Sequence, residues 1–239
     1  MQPESQISSS AADRRADLRR GVRDILPILA ATTPFAVIFG ALAAQQAMTF
    51  PESAALSGLV YAGASQFVAL EFWADPLPYW TIFFSVLAVN LRHVLYSASF
   101  GRKIGHWPAP QRYLGFALLV DPTFALAELD RGPRLSAAYY FGMAVPLYFY
   151  WLTTTSIGYA FGNFVGRPER FGLGFLVTAY FIVLVVGFRK RPNSAWVVLA
   201  SALVAVATYL TIGSPWHFAT GAVAGIVAAV ALASPKEAV

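Results

Sequence analysis

A polar stretch inside a long apolar run decides how this chain folds. The run covers residues 79–100 and contains Asn90-Leu91-Arg92-His93-Val94-Leu95-Tyr96-Ser97. Its length suffices to span a bilayer as a helix. Arg92 would then lie too far from the basic end at Arg102 to reach the membrane surface easily. Because an ionisable side chain at membrane depth costs about 2.5–3.5 kcal/mol, Arg92 needs a partner or a function there.

The composition of the whole chain is that of a membrane protein. Of its 239 residues 57% are hydrophobic and only 12% are charged, and its mean hydropathy is +0.57. Soluble domains carry roughly 25% charged residues. There are no cysteines, which excludes disulfides, thiol nucleophiles and thiolate metal sites. The net charge of +5 comes from short basic clusters between apolar runs, a pattern typical of membrane topology signals and not of nucleic-acid binding.

The apolar runs predict the architecture. They cover residues 25–47, 54–72, 79–100, 113–130, 136–157, 171–188, 193–212 and 216–233. If all eight crossed the membrane, the cluster Arg102, Lys103 and Arg112 would lie outside, against the preference of basic loops for the cytoplasm. The conflict disappears if 54–72 and 113–130 enter the bilayer from opposite faces and turn back. We therefore expect an all-α integral membrane protein with six transmembrane helices and two broken or re-entrant segments, as in transporters built on inverted repeats; an eight-span arrangement is the alternative.

The basic residues also predict orientation and domain limits. With six spans, fourteen Lys and Arg residues lie in cytoplasmic segments, whereas Arg167 and Arg170 are the two outside. Residues 1–24 are then a basic cytoplasmic tail, 25–233 a transmembrane permease domain and 234–239 a cytoplasmic C-terminal tail. Both termini are expected in the cytoplasm, and the membrane is the lipid partner of the chain.

Asp121 is the expected counter-charge for Arg92. It lies near the middle of the run 113–130 and is followed by Pro122, where a helix should break and leave backbone groups free. The pair could bind a zwitterion or move with a proton. The alternative is an ion pair that only holds the broken segment in place, since buried pairs often serve specificity without binding anything.

Other polar residues are expected to line the same cavity. On a helix Asn90 and His93 share one stripe, and Arg92 and Tyr96 share another about 100° away. In the run 54–72, Gly63 permits close backbone approach and Gln66 supplies hydrogen bonds without charge. An interhelical hydrogen bond is the alternative role for Gln66.

Residues near the predicted helix ends have less specific interpretations. Glu52, Glu71 and Glu128 are expected to be solvated. Six aromatic residues are expected to anchor in the headgroup layer: Tyr79, Trp80, Trp107, Trp151, Trp196 and Trp216. The sequence contains no recognisable catalytic, nucleotide or metal-ligand motif. We therefore expect no cofactor, no nucleic-acid partner and no enzymatic activity; a lipid-acting membrane enzyme or a non-transporting scaffold is a weaker alternative.

Several of these residues match a known pattern. The matching segments are Pro34 with Phe39-Gly40, Tyr61-Ala62-Gly63-Ala64-Ser65-Gln66-Phe67, Asn90-Leu91-Arg92-His93-Val94-Leu95-Tyr96 and Asp121-Pro122-Thr123-Phe124-Ala125. In them the chain resembles the large subunit of bacterial two-component branched-chain amino-acid exporters, the AzlC-like permeases. The likeness covers most of the chain and is strongest from about residue 27 to residue 130.

The resemblance implies more than the residues do alone. It implies efflux of leucine, isoleucine and valine across a bacterial inner membrane, together with a small hydrophobic second subunit, AzlD-like. The residues by themselves indicate a gradient-driven carrier for a small zwitterionic or polar solute, with alternating access and proton coupling as the expected mechanism. A carrier for a different zwitterionic solute is the alternative.

Overall fold

The fold is seen in a computed structural model. The structure describes residues 11–130, 132–165, 193–213 and 216–232, with four further positions between 182 and 189. The apolar run at 171–188 lies outside the described residues, except for three of those positions. Most of the predicted cytoplasmic cluster 189–191, the two outer arginines at 167 and 170 and the C-terminal tail also lie outside them.

Every regular element in the described ranges is a helix, as predicted. The helices are α1 (Ala11–Gln45), α2 (Phe50–Leu59), α3 (Gly63–Glu71), α4 (Tyr79–Ile104), α5 (Ala109–Ala117), α6 (Asp121–Leu129), α7 (Ala137–Val165), α8 (Ser194–Thr211) and α9 (Trp216–Leu232). Three of them, α1, α4 and α8, are long and apolar enough to cross a membrane. The runs 54–72 and 113–130 are both broken, each into two short helices, which confirms that part of the prediction.

The helices form two compact units. The first comprises residues 1–34 and 92–154, and the second comprises residues 35–91 and 155–239. The long helices α1, α4 and α7 each contribute one part to each unit. The core of the first unit contains the buried aromatic residues Phe100, Trp107 and Tyr140. A cluster in the second unit contains Phe39, Ala43, Met48 and Leu70.

In the first unit, α5 and α6 form a hairpin that closes at its base. The N–H of Leu135, after α6, donates to the carbonyl oxygen of Lys103 at the end of α4, at 3.1 Å. Trp107 Nε1 donates to the carbonyl oxygen of Leu135 at 2.8 Å. Both ends of the α5–α6 segment therefore lie beside the last turn of α4. This is the geometry expected of a segment that enters a bilayer and turns back.

The prediction that Trp107 anchors in the headgroup layer is wrong. Its side chain is only 4% exposed, because it packs against Phe100 and Tyr140 at the hairpin base. Trp151, 6% exposed, is likewise buried. The rings at these two positions therefore serve packing, whereas the other four rings expected at the membrane surface are exposed: Tyr79, Trp80, Trp196 and Trp216.

In the second unit, α2 and α3 form a hairpin of the same kind. Met48, just before α2, and Leu70, in the last turn of α3, belong to one buried cluster, against which Trp73 packs. Tyr159 of α7 donates its hydroxyl to the carbonyl oxygen of Met48 at 2.8 Å. The two ends of this hairpin are again neighbours.

Polar side chains satisfy the backbone at both breaks. Thr123 of α6 is fully buried; its hydroxyl accepts from the N–H of Val120 at 3.0 Å and lies 3.2 Å from the carbonyl oxygen of Leu118. Gln66 of α3 is also fully buried, and its amide nitrogen lies 2.8 Å from the carbonyl oxygen of Val60. Because non-helical backbone at membrane depth needs internal partners, these contacts allow the breaks to exist.

The two hairpins recur at a fixed spacing. Helices α3 and α6 are each nine residues long. They begin 58 positions apart, at Gly63 and Asp121, and α4 and α7 begin 58 positions apart as well, at Tyr79 and Ala137. The pattern of broken pair followed by long helix therefore occurs twice, which supports the expected internal repeat. Its inversion stays a prediction.

Candidate functional site

The predicted pair Arg92–Asp121 lies in a polar seam between α4 and α6. Going along α4, Tyr96 meets Asp121 and Phe124, and Ser99 meets Glu128. Contacts therefore advance in the same direction along both helices, so α4 and α6 run parallel. We call the contacting residues the α4–α6 seam: Arg92, Tyr96, Ser99 and Lys103 of α4 with Asp121, Phe124 and Glu128 of α6.

Arg92 and Asp121 form an ion pair at the start of α6. Arg92 Nη2 lies 3.2 Å from Asp121 Oδ2, and the side chains are 29% and 44% exposed. The hydroxyl of Tyr96 donates to Asp121 Oδ1 at 2.8 Å. Each oxygen of Asp121 thus has a partner, and the ion pair accounts for one of the three guanidinium nitrogens.

Arg92 keeps donor capacity beyond the ion pair. Its Nε is buried and has no hydrogen-bond partner within the part of the chain that the structure describes. A guanidinium presents several N–H donors in a fixed planar fork, which matches the two oxygens of a carboxylate. Arg92 can therefore hold Asp121 and a second anionic group.

The break before α6 places the carboxylate of Asp121 at the N-terminus of this helix. Asp121 is the first residue of α6, where the partial positive charge of a helix N-terminus stabilises an anion. Pro122 follows in the first turn, where its missing N–H costs no helical hydrogen bond. The dipeptide therefore both starts the helix and sets a negative charge at its tip.

Aromatic contacts orient the hydroxyl of Tyr96. Its ring stacks on Phe124 with centroids 4.2 Å apart and an interplanar angle of 12°. The ring of His93 is tilted against it at 5.5 Å. The structure thus brings together four of the predicted site residues, Arg92, His93, Tyr96 and Asp121, with Pro122 adjacent in sequence.

The seam continues to Glu128, whose side chain is 36% exposed, as the sequence predicted, and which also has partners on α4. Glu128 accepts a hydrogen bond from Ser99 at 2.8 Å, and Lys103 Nζ lies 3.8 Å from it. Lys103 also donates to the carbonyl oxygens of Ala127 and Asp130, at 2.6 and 2.9 Å, capping the C-terminal end of α6 with a positive charge. The sequence did contain a sign of these contacts, because Ser99 and Lys103 continue the helix face that carries Arg92 and Tyr96.

The remaining predicted residues lie in the second unit. Asn90 of α4 accepts a hydrogen bond from Ser65 through Oδ1 at 2.8 Å. Gly63 is the first residue of α3. Gln66 directs its amide to the carbonyl oxygens at the end of α2, as described for the break. Ser65 was not among the predicted site residues, although it lies in the same short motif.

Within the described ranges, no group of three His, Asp or Glu side chains is arranged to hold a metal ion. The polar groups of the seam are a guanidinium, two carboxylates, an amine and hydroxyls. Such groups can bind a charged solute and exchange protons.

Comparison with known proteins adds the family. The pattern of the AzlC protein family matches residues 27–165, which include both broken pairs and the whole α4–α6 seam. The inner membrane protein YgaZ of Escherichia coli is 30% identical over 223 residues, covering 90% of each chain. A membrane protein of Helicobacter pylori is 31% identical over 181 residues, covering 72% of this chain and 77% of its own.

A further relative has a transport name. The branched-chain amino acid transport protein AzlC of Bacillus subtilis is 28% identical over 160 residues, covering 66% of this chain and 62% of its own. No solved structure matches the chain. The matched region, the membrane-protein relatives and the segments quoted from the sequence agree, and the chain belongs to the AzlC family of membrane transport proteins.

Proposed function

We propose that this chain is the large subunit of a secondary transporter that exports leucine, isoleucine and valine. Membership of the AzlC family and the name of the Bacillus subtilis relative, a branched-chain amino acid transport protein, support the substrate class. The proposed location is a bacterial inner membrane, with both termini in the cytoplasm and a small hydrophobic AzlD-like subunit as partner.

The observation that carries the proposal is the incomplete pairing of Arg92. Its guanidinium holds Asp121 through one nitrogen and keeps a buried Nε without a partner among the described residues. An amino-acid carboxylate is a suitable acceptor for the donors that the ion pair leaves over on this guanidinium, whose side chain is 29% exposed. The carboxylate of Asp121, 44% exposed, has lone pairs left for the substrate ammonium group.

The same pair offers a coupling device. Protonation of Asp121 would remove its attraction for Arg92 and weaken the acceptor of the Tyr96 hydroxyl. Because α6 is a separate short helix beyond a break, such a change would alter its hold on α4 without unwinding a long helix. A proton-driven alternating-access cycle uses this kind of two-state contact. Within the second unit, Gly63 and Gln66 of α3 and Asn90 of α4 are separately proposed to offer polar contacts to the solute.

Leucine efflux tests this function. Cells lacking endogenous leucine export are preloaded with a leucine-containing dipeptide, and leucine release is measured with this chain and its small partner, with this chain alone and with vector. We expect faster release with both chains, and loss of that release when a protonophore collapses the gradient. Release equal to vector, with both proteins present in the membrane, would refute leucine export.

A further inference from the structure

The first turns of α1 carry two chemically different faces. At 3.6 residues per turn, six side chains share one face about 140° wide: Arg15, Leu18, Arg19, Val22, Arg23 and Leu26. The opposite face carries Asp17, Arg20 and Asp24. The helix thus separates three arginines and three aliphatic residues from its acidic residues.

The acidic face is occupied by contacts within the first unit. Tyr139 donates its hydroxyl to Asp24 at 3.1 Å. Arg20 lies 3.2 Å from Asp130 and 3.6 Å from Asp17, and its guanidinium is centred 4.1 Å from the Tyr139 ring. Gly21 lets the two helices approach, since a Cβ there would lie 2.2 Å from the carbonyl oxygen of Tyr139. The acidic residues Asp17 and Asp24 therefore have partners within the first unit.

The other face is open. All three of its arginines are exposed and form no ion pair with any described residue. Leu18, Val22 and Leu26 are 45%, 37% and 55% exposed. Arginines at every fourth position, with aliphatic side chains between them, are typical of helices at a bilayer surface, where the cations meet phosphates and the aliphatic groups enter the acyl boundary.

We propose that this open face of α1 is a binding surface for anionic phospholipid headgroups in the leaflet next to the N-terminal end of α1. The arginines bind the headgroup phosphates, and the aliphatic residues lie at the depth of the glycerol backbone. The lipid thereby fixes the part of α1 that precedes the apolar run, while Tyr139 and Asp130 hold its other face. The inference depends on the membrane location of the family and not on the transported solute.

Lipid binding to the purified full chain tests it. The protein in neutral detergent is titrated with phosphatidylglycerol or phosphatidylcholine, and bound lipid is measured by native mass spectrometry together with the Tm. We expect phosphatidylglycerol to bind more tightly and raise the Tm further. In Arg15→Gln/Arg19→Gln/Arg23→Gln its affinity should fall on the order of 100-fold, about fivefold for each arginine.

The matched control removes the same charge from other exposed positions, as Arg102→Gln/Arg112→Gln/Arg134→Gln, and should keep the preference for phosphatidylglycerol. Equal binding of the two lipids to the unmodified chain would overturn the proposal. An equal loss in both triple variants would do so too, since it would reveal an effect of total charge. If the α1 triple variant does not fold, the three single variants, each expected to lose about fivefold, decide the question.

Discussion

Asp121 accepts a hydrogen bond from Tyr96 and an ion-pair contact from Arg92, one on each carboxylate oxygen. The three groups come from two parallel helices, one continuous and one that begins at Asp121 itself. Because each oxygen of Asp121 has one partner, removing the charge of Arg92 or the hydroxyl of Tyr96 changes the environment of the carboxylate. These neighbours are therefore good targets for mutation.

Replacing Arg92 with alanine should abolish leucine efflux at normal membrane levels. The substitution removes the only cation in contact with Asp121 in the described structure and the donors proposed for the substrate carboxylate. Arg102→Ala, an exposed arginine of the same helix, is the matched control and should keep near-normal efflux. Unchanged transport in Arg92→Ala would remove this residue from the mechanism.

Exchanging the two charges tests the ion pair itself. Arg92→Asp and Asp121→Arg should each lower the amount of folded protein, because each replaces an attractive pair with two neighbouring like charges. The double variant should recover the folded fraction in size-exclusion profiles, although transport need not return. A double variant as poorly folded as the singles would contradict simple charge pairing.

The buried hydroxyl at the second break should contribute measurably to stability. Thr123→Val keeps the shape of the side chain but leaves the N–H of Val120 without its acceptor, a loss of about 1–3 kcal/mol. A lower Tm in detergent should show this, and Thr123→Ser should recover most of it. Thr153→Val is the control, because that exposed hydroxyl only bonds a carbonyl of its own helix. Equal shifts in both valine variants would argue against a special role for Thr123.

Close helix packing predicts a sharp difference between two glycines. A Cβ at Gly40 of α1 would lie 2.0 Å from the carbonyl oxygen of Thr155 and 2.5 Å from the nitrogen of Tyr159, whereas a Cβ at Gly101 would lie 3.6 Å from its nearest neighbour. Gly40→Ala should therefore destabilise by about 1–3 kcal/mol or more. Gly101→Ala should be neutral or slightly stabilising, as alanine favours a helix. Thermal unfolding of the two variants would settle the comparison.

The hairpin base should become less stable in acid through His106. Burial lowers the pKa of His106, and the nearby positive charge of Arg134 lowers it further. Because the pKa of His106 is lower in the folded than in the unfolded protein, the unfolded chain takes up a proton first. The free energy of unfolding therefore decreases as pH falls from about 6.5. The Tm of the unmodified chain should decline more steeply between about pH 7 and pH 5 than that of His106→Gln. Parallel curves would contradict this assignment.

Hydrophobic patterning predicted the helices well. The run 79–100 became α4, residues 79–104, and Asp121-Pro122 correctly marked a helix start within the run 113–130. These features depend on local properties, namely run length and the missing N–H of proline. The pairing of Arg92 with Asp121 was also predictable, because few charges lie within the apolar runs and opposite charges there need each other.

Residues whose role depends on packing direction were harder to predict. Glu128 near the end of a run is exposed, as predicted. Its contacts with Ser99 and Lys103, however, follow only once α6 is known to run parallel to α4. Trp107 looked like a surface anchor, because sequence does not reveal that the hairpin base closes over it. The sequence suggested a break near Gly63, but the helix is interrupted at residues 60–62, just before this glycine. The carbonyl oxygens that accept from Gln66 are set by that position and could not be predicted.

The closed base of the α5–α6 hairpin has a consequence for how the protein is made. Because the chain leaves and rejoins the same end of α4, the re-entrant arrangement expected for this hairpin requires no hydrophilic loop to be translocated across the membrane. The ribosome delivers α4 before α6, so Arg92 is in position before its counter-charge is synthesised. Arrival of α6 then brings Asp121 beside Arg92, so the ion pair is completed only after this later part of the chain has been made.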